Sequence, residues 1–217
     1  MVSVFMDETT VKDFATYMKR FPELYAYLAR IVRRHVSQSR PVILDIGAGP
    51  GLLSLEILHQ IPDATVVGVD PLTEMLVSAK ENVQQSNGHL FEAVRGVSEK
   101  IPLKDSTVDC IVSRFSLPYW PQPDMSFSEM YRVLKSGGIV ALEELNKEFP
   151  GWKLFLLKLR MLLRGASREV ANYHVDAFPG AHTMDEVQRL FTNARFTILE
   201  TEGKKKEWRF IVVARKP

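Results

Sequence analysis

The chain has 217 residues, 46% of them hydrophobic and 25% charged, with a formal net charge of +2. That balance excludes a disordered or collagenous chain, and the length predicts a single domain. The single cysteine, Cys110, excludes an internal disulfide and a cysteine-based zinc site. No basic-then-apolar leader opens the sequence and no apolar run is long enough to cross a membrane, so a cytoplasmic location is expected. Charge is unevenly spread: residues 151–217 carry 13 Lys/Arg against 7 Asp/Glu. The excess lies partly in 153–168 and partly in Lys204-Lys205-Lys206. It lacks the contiguity of a nucleic-acid footprint, and no nucleic-acid partner is expected.

Residues 7–36 read as helix with a break at Pro22. Val42–Ile46 is a short apolar run, the pattern of a strand buried on both faces. Gly47-Ala48-Gly49-Pro50-Gly51 is a turn and Leu52–Gln60 a helix. Thr65–Val69 is a second strand, ending in Asp70, and Thr73–Ser86 a polar helix. Leu90–Val94 and Val108–Val112 are the third and fourth strands. Phe127–Leu134 reads as a helix ended by a turn at Lys135–Gly138, and Ile139–Glu143 as the fifth strand. Residues 146–182 read as irregular apart from one strongly apolar helix. Asp185–Asn193 is a further helix, and Thr197–Glu202 and Trp208–Ala214 are strands joined by a lysine-rich turn. Alternating strand and helix predict an α/β fold, a doubly wound and mostly parallel sheet. The last two strands have no helix between them and should form an antiparallel hairpin at one edge.

Three glycines in the five residues after the first strand exceed what a turn needs. They let backbone approach a ligand, and the helix that follows offers free N–H groups. The spacing is G-x-G-x-G; the dinucleotide fingerprint would need glycine at position 52, which is Leu52. Asp45 adds a carboxylate at the end of the first strand. Asp70 stands where an acid can hold both hydroxyls of a ribose, or else cap the next helix.

Four blocks together carry a family resemblance: Val42–Gly51 (VILDIGAGPG), Val66–Asp70 (VVGVD), Val108–Ser113 (VDCIVS) and Tyr131–Gly138 (YRVLKSGG). In order and spacing the chain resembles the class I S-adenosylmethionine-dependent methyltransferases over roughly residues 40–205. In tone it is nearest to small-molecule enzymes of the ubiquinone and menaquinone biosynthesis type. The resemblance implies a Rossmann-like sheet of seven strands with S-adenosylmethionine as cofactor. It puts Gly47, Ala48, Gly49 and Gly51 under the methionine part, Asp45 near the ammonium and Asp70 on the ribose. Pro71 and Leu72 would face the adenine. Where relatives carry an acid for the adenine amine, this chain has Val97, which leaves Ser98 or a backbone group. Ser113 would lie beside the sulfonium, and Arg114 at the mouth of the acceptor pocket.

Methyl transfer is largely positioning and desolvation, so the fold dictates no invariable catalytic residue. Ser116-Leu117-Pro118-Tyr119 resembles the N-P-P-Y motif of amine-methylating relatives only in part. Tyr119 and Trp120 therefore read first as aromatic pocket wall. Tyr119 and His174 are the candidate catalytic residues, and Tyr173 and Phe155 join Arg114, Tyr119 and Trp120 as candidate acceptor contacts. No pair of histidines has metal-ligand spacing, and no metal is expected.

Trp152–Arg164 (WKLFLLKLRMLLR) is apolar over most of its circumference, with Lys153, Arg160 and Arg164 on one stripe. It reads as a helix over the sheet edge, as a lid, or as a contact with a membrane surface. The expected division is an N-terminal helical cap (1–40), a cofactor-binding core (41–145), a substrate lid (146–182) and a final helix with the edge hairpin (183–217). The expected activity is methyl transfer to a small, partly hydrophobic acceptor. The alternatives are a protein or nucleic-acid methyltransferase, or a cofactor-binding regulatory protein without transferase activity. Oligomeric state is not legible.

Overall fold

The computed structural model describes residues 7–84 and 90–217. Two helices open it, α1 (Glu8–Met18) and α2 (Glu23–His35), parted at Pro22 as the sequence predicts. The sheet strands are β1 (Val42–Ile46), β2 (Thr65–Asp70), β3 (Phe91–Arg95), β4 (Val108–Arg114), β5 (Leu134–Leu145), β6 (Thr197–Glu202) and β7 (Arg209–Arg215). They form one seven-stranded sheet in the order β3-β2-β1-β4-β5-β7-β6. The first five strands are parallel, and β7 pairs antiparallel with both β5 and β6. The terminal hairpin thus closes one edge, with its second strand on the inside.

The helices between strands are α3 (Leu52–Gln60), α4 (Thr73–Gln84) and α5 (Pro123–Val133), followed by α6 (Gly151–Leu163), α7 (Arg168–Asp176) and α8 (Met184–Asn193). The expected end of α4 at Ser86 and the histidine at position 89 lie outside the described residues. Strand alternation divides the core. Ile43, Cys110, Ala141 and Val213 point into one layer with α2 and α3, and Leu44, Ile111, Val140 and Val212 into the other with Phe127 of α5 and Phe191 of α8. Burial on both faces is why these strands read as continuous apolar runs.

Three expectations are corrected. Helix α5 starts at Pro123 instead of Phe127, because a proline in the first turn and Asp124 beside it make a helix start. The expected turn at Lys135–Gly138 is the first part of β5: Leu134 pairs with Val108, and the register then shifts before Cys110 pairs with Ile139. Segment 146–182 is mostly helical. Besides α6 it holds α7, whose Ser167 side chain accepts the Val170 N–H, and a short 3-10 turn at Phe178–Gly180. Only Val170 and Ala171 of α7 are buried, so its apolar periodicity was too weak to read.

Candidate functional site

The sheet order changes direction between β1 and β4, where open α/β sheets place their ligands. A cavity of about 460 Å³ opens there. Its floor is the turn after β1. Gly47, Gly49 and Gly51 all have positive φ (70°, 53° and 73°), a region costly to side chains. A Cβ on Gly47 would stand 2.4 Å from the Cβ of Ser116. Gly49 has room, its nearest neighbour being the Met75 sulfur at 3.9 Å, so there the demand is on φ alone. Gly51 does not line the cavity; a Cβ there would meet Ala79 at 2.9 Å, so it lets α3 approach α4.

Asp70 fastens the turn to the end of β2. One of its oxygens accepts the Gly49 N–H at 2.9 Å and the other the Leu72 N–H at 2.9 Å. Each oxygen keeps accepting capacity, and the residue lines the cavity with Pro71 and Leu72. Burial pushes its pKa up. Asp45 is 1% exposed and also lines the cavity. The Ser54 hydroxyl donates to it at 2.7 Å. Burial pushes the Asp45 carboxyl up to about 7, with the Asp70 charge adding and the Ser54 bond opposing. Ser54 was not among the sequence candidates. Its signal was a lone hydroxyl in the apolar run Leu52-Leu53-Ser54-Leu55.

Val97 and Ser98 lie at the far wall. The Ser98 hydroxyl bonds Glu99 at 3.2 Å and accepts from Ser126 at 2.9 Å. Ser113 is fully buried and does not reach the cavity; its hydroxyl lies 2.5 Å from that of Ser116, behind the Gly47 contact.

The opposite wall gathers Arg114, Phe115, Tyr119, Trp120, Tyr173 and His174. Tyr119 and Tyr173 stack with centroids 5.4 Å apart and planes 8° from parallel. Burial pushes the Tyr119 phenol far up and that of Tyr173 up to about 12, so neither is a phenolate near neutrality. His174 stacks on Phe14 at 5.3 Å. Burial pushes its pKa down to about 4, so it is neutral. Its Nδ1 lies 2.9 Å from the Val170 carbonyl, which can only accept; Nδ1 carries the proton and Nε2 is left as acceptor.

Arg114 is locked. Its Nε donates to Glu143 at 2.7 Å, and Arg209 pairs with the same carboxylate at 2.8 Å. The guanidinium lies 4.5 Å from the Tyr25 ring centre and 4.0 Å from that of Phe115, whose φ of 58° is uncommon for an aromatic. Buried Glu144 beside Glu143 is raised well above the usual carboxylate range by desolvation. The signal for this cluster was a pair of acids, Glu143-Glu144, inside an apolar strand.

A second cavity, of about 630 Å³, lies between α1 and α6. It shares Met18, Arg114, Phe115, Leu157, His174 and Trp208 with the first, so the two adjoin across one wall. Phe155 lines neither; it is 68% exposed, and Leu157 takes the inward position. Met18, Tyr25 and Trp208 were missed as site residues, since they come from helices and a hairpin far away in sequence. Among the described residues no group of three or more His, Cys, Asp or Glu is placed to hold a metal.

Comparison with known proteins agrees with this geometry. Residues 44–142 match the model of the methyltransferase domain family. An arsenite methyltransferase of Halobacterium salinarum is 28% identical over 170 residues, 78% of this chain and 40% of that protein. A demethylmenaquinone methyltransferase of Listeria welshimeri is 32% identical over 113 residues, 51% of this chain and 48% of that protein. The chain therefore spans less than half the length of these curated relatives. The crystal structure of an S-adenosylmethionine-dependent methyltransferase from Aquifex aeolicus superposes with a TM-score of 0.70 at 21% identity, over 97% of this chain and 98% of that one. With the glycine turn, the two acids and the sheet order in place, residues 44–142 are a domain of the methyltransferase family, in the fold that S-adenosylmethionine-dependent methyltransferases of solved structure share.

Proposed function

We propose that this chain transfers a methyl group from S-adenosylmethionine to a small, partly hydrophobic acceptor held between the two cavities. The observation that carries the reading is their shared wall. A cavity floored by a glycine turn and two carboxylates meets an aromatic groove across Arg114, Phe115 and His174. When bound, the cofactor supplies a methyl group on a positive sulfur, electrophilic without further activation.

The residues present fit that cofactor. Asp45 is a buried carboxyl raised to about 7 with one hydroxyl partner, so an ammonium beside it would restore its charge. Asp70 holds the turn and has lone pairs left for the ribose hydroxyls. Pro71, Leu72, Val97 and Ser98 would face the adenine. On the acceptor side Arg114, Tyr119, Trp120 and Tyr173 exclude water and fix orientation. His174 Nε2 accepts a hydrogen bond from an acceptor O–H or N–H and so points its lone pair at the methyl. Segment 146–182 supplies most of the wall that selects the acceptor.

The arsenite activity named for one relative is disfavoured here. A soft arsenic centre calls for thiolates, and Cys110 is fully buried in β4 with its thiol pushed up by desolvation. A macromolecular acceptor is disfavoured because α1 and α7 close over the site, Phe14 packing on Tyr173 and His174. A cytoplasmic location fits the reading, and no described helix is long and apolar enough to cross a membrane.

The test is transfer of labelled methyl from S-adenosylmethionine in three parallel incubations: an organic-solvent extract of cells, total RNA and total protein. Label in the extract is expected. Label in RNA or protein overturns the acceptor class. Tight cofactor binding with label nowhere favours a cofactor-binding regulator.

A further inference from the structure

Helix α6 is apolar and largely uncovered. Trp152, Phe155, Leu156, Leu159 and Leu163 are 65%, 68%, 50%, 44% and 79% exposed, and only Met161 is buried. The other exposed large apolar side chains among the described residues, such as Val77, Met125 and Leu199, are isolated on separate elements. At about 100° per residue, the five exposed side chains of α6 fall within an arc of about 100°. Lys158 borders that arc on one side, and Arg160, Lys153 and Arg164 on the other. Residues 151–164 contain these four cations and no acid.

We infer that α6 is the face by which this protein lies on an anionic lipid bilayer. An apolar stripe with cations along both borders is the profile of a helix lying in the plane of the headgroups. At 13 residues the helix is about 20 Å long, too short to span the hydrocarbon core. The charge decides between occupants. A two-fold contact with a second copy sets the same patch against itself, cation borders facing cation borders with no acid in the segment to pair them. A surface of anionic headgroups pairs every one of them. Trp152, Lys153, Leu156 and Arg160 also form the rim of the second cavity, so the docked helix sets that cavity's mouth at the bilayer. Delivery of a lipid-dissolved acceptor rests on the methyl-transfer reading; the docking itself does not.

Sedimentation with vesicles tests it, using phosphatidylcholine alone or mixed with roughly a third phosphatidylglycerol. Binding to the anionic vesicles should be about tenfold or more tighter than to the neutral ones, and should weaken with salt. Phe155→Asp with Leu163→Asp should abolish it, and Lys158→Glu should weaken it about tenfold. Neither alters a cavity-lining residue, so both variants should still bind S-adenosylmethionine by calorimetry and melt cooperatively, which separates lost docking from lost folding. Equal binding to both vesicles, or to neither, overturns the inference. A doubled mass in sedimentation equilibrium that Leu163→Asp returns to monomer, without vesicle binding, assigns the face to a second copy instead.

Discussion

The two halves of the site are built in opposite ways. On the side proposed for the cofactor, a stretch of about thirty residues supplies the turn, both carboxylates and the strand ends, and the contacts are short hydrogen bonds to the two carboxylates. Gly49 and Leu72 N–H groups converge on Asp70, and Ser54 reaches Asp45 nine positions back. On the side proposed for the acceptor, the wall is assembled from α1, α2, the end of β4, α6, α7 and the residue before β7, and the contacts are aromatic faces and one locked guanidinium. Chain-local geometry suits a ligand part that does not vary. A wall drawn from scattered helices can change its shape without disturbing the turn. The two sides should therefore respond separately to mutation.

The strongest test of that separation is Gly47→Ala. Its Cβ would sit 2.4 Å from Ser116, with φ already at 70°, so cofactor affinity should fall on the order of 100-fold or more by calorimetry. Unchanged affinity would show that the turn does not cradle the ligand. Asp70→Asn comes next. It weakens charge-assisted bonds worth about 1.5–3 kcal/mol, so a loss of about 10- to 100-fold in cofactor affinity is expected. A collapsed Tm with intact affinity would make Asp70 a cap alone.

Asp45 gives a pH signature. Its carboxyl is raised to about 7 in the free protein, and a cationic cofactor favours the ionised form. Binding must therefore expel a proton below pH 7, and affinity should rise up to about tenfold per pH unit towards 7 and level off above. Asp45→Asn should bind more weakly, with no such slope.

Stability against pH should show the two sides pulling in opposite directions. The folded pKa of His174 lies near 4, below its ordinary 6.5. Its contribution is present above 6.5 and is lost as pH falls towards 4. The folded pKa of Asp45 lies above its ordinary 3.8, so its contribution is present below 3.8 and is lost as pH rises through about 7. Melting curves should show Tm of Asp45→Asn falling on acidification from 6.5 to 4. Tm of His174→Gln should fall as pH rises from 4 to 7. The same slope in both variants would refute the assignment. The smallest expected effect is at Leu157, which lines both cavities from α6. Leu157→Ala should change cofactor affinity by less than about threefold, under 1 kcal/mol. The acceptor KM should rise more than that.

Legibility in the sequence follows the same division. The strand–turn–helix boundaries at 42–60 and the acid at 70 were readable because backbone geometry there depends on neighbours a few residues away. Phe155 was misplaced because an amphipathic pattern does not say which side of a helix meets the protein. In α6 the apolar arc faces outward, while Leu157 and Met161 pack inward. The resemblance puts Ser113 beside the sulfonium, but its side chain points into the layer behind Gly47, onto Ser116, and does not line the cavity. The Glu143–Arg114–Arg209 cluster joins residues up to 95 positions apart, and only the pairing of β5 with β4 and β7 brings them together.

By itself the sequence determined the alternation of strand and helix, the glycine turn with its positive-φ positions, and the two carboxylates at strand ends. Each rests on steric and hydrogen-bonding rules that act within one or two turns of chain. Tertiary structure alone decided that α7 exists as a helix and that His174 is neutral with Nε2 free. It also decided that Tyr25, Met18 and Trp208 join the site, and that α6 turns its apolar arc outward. These depend on desolvation and on packing between distant elements, and neither quantity is defined until the chain has closed on itself.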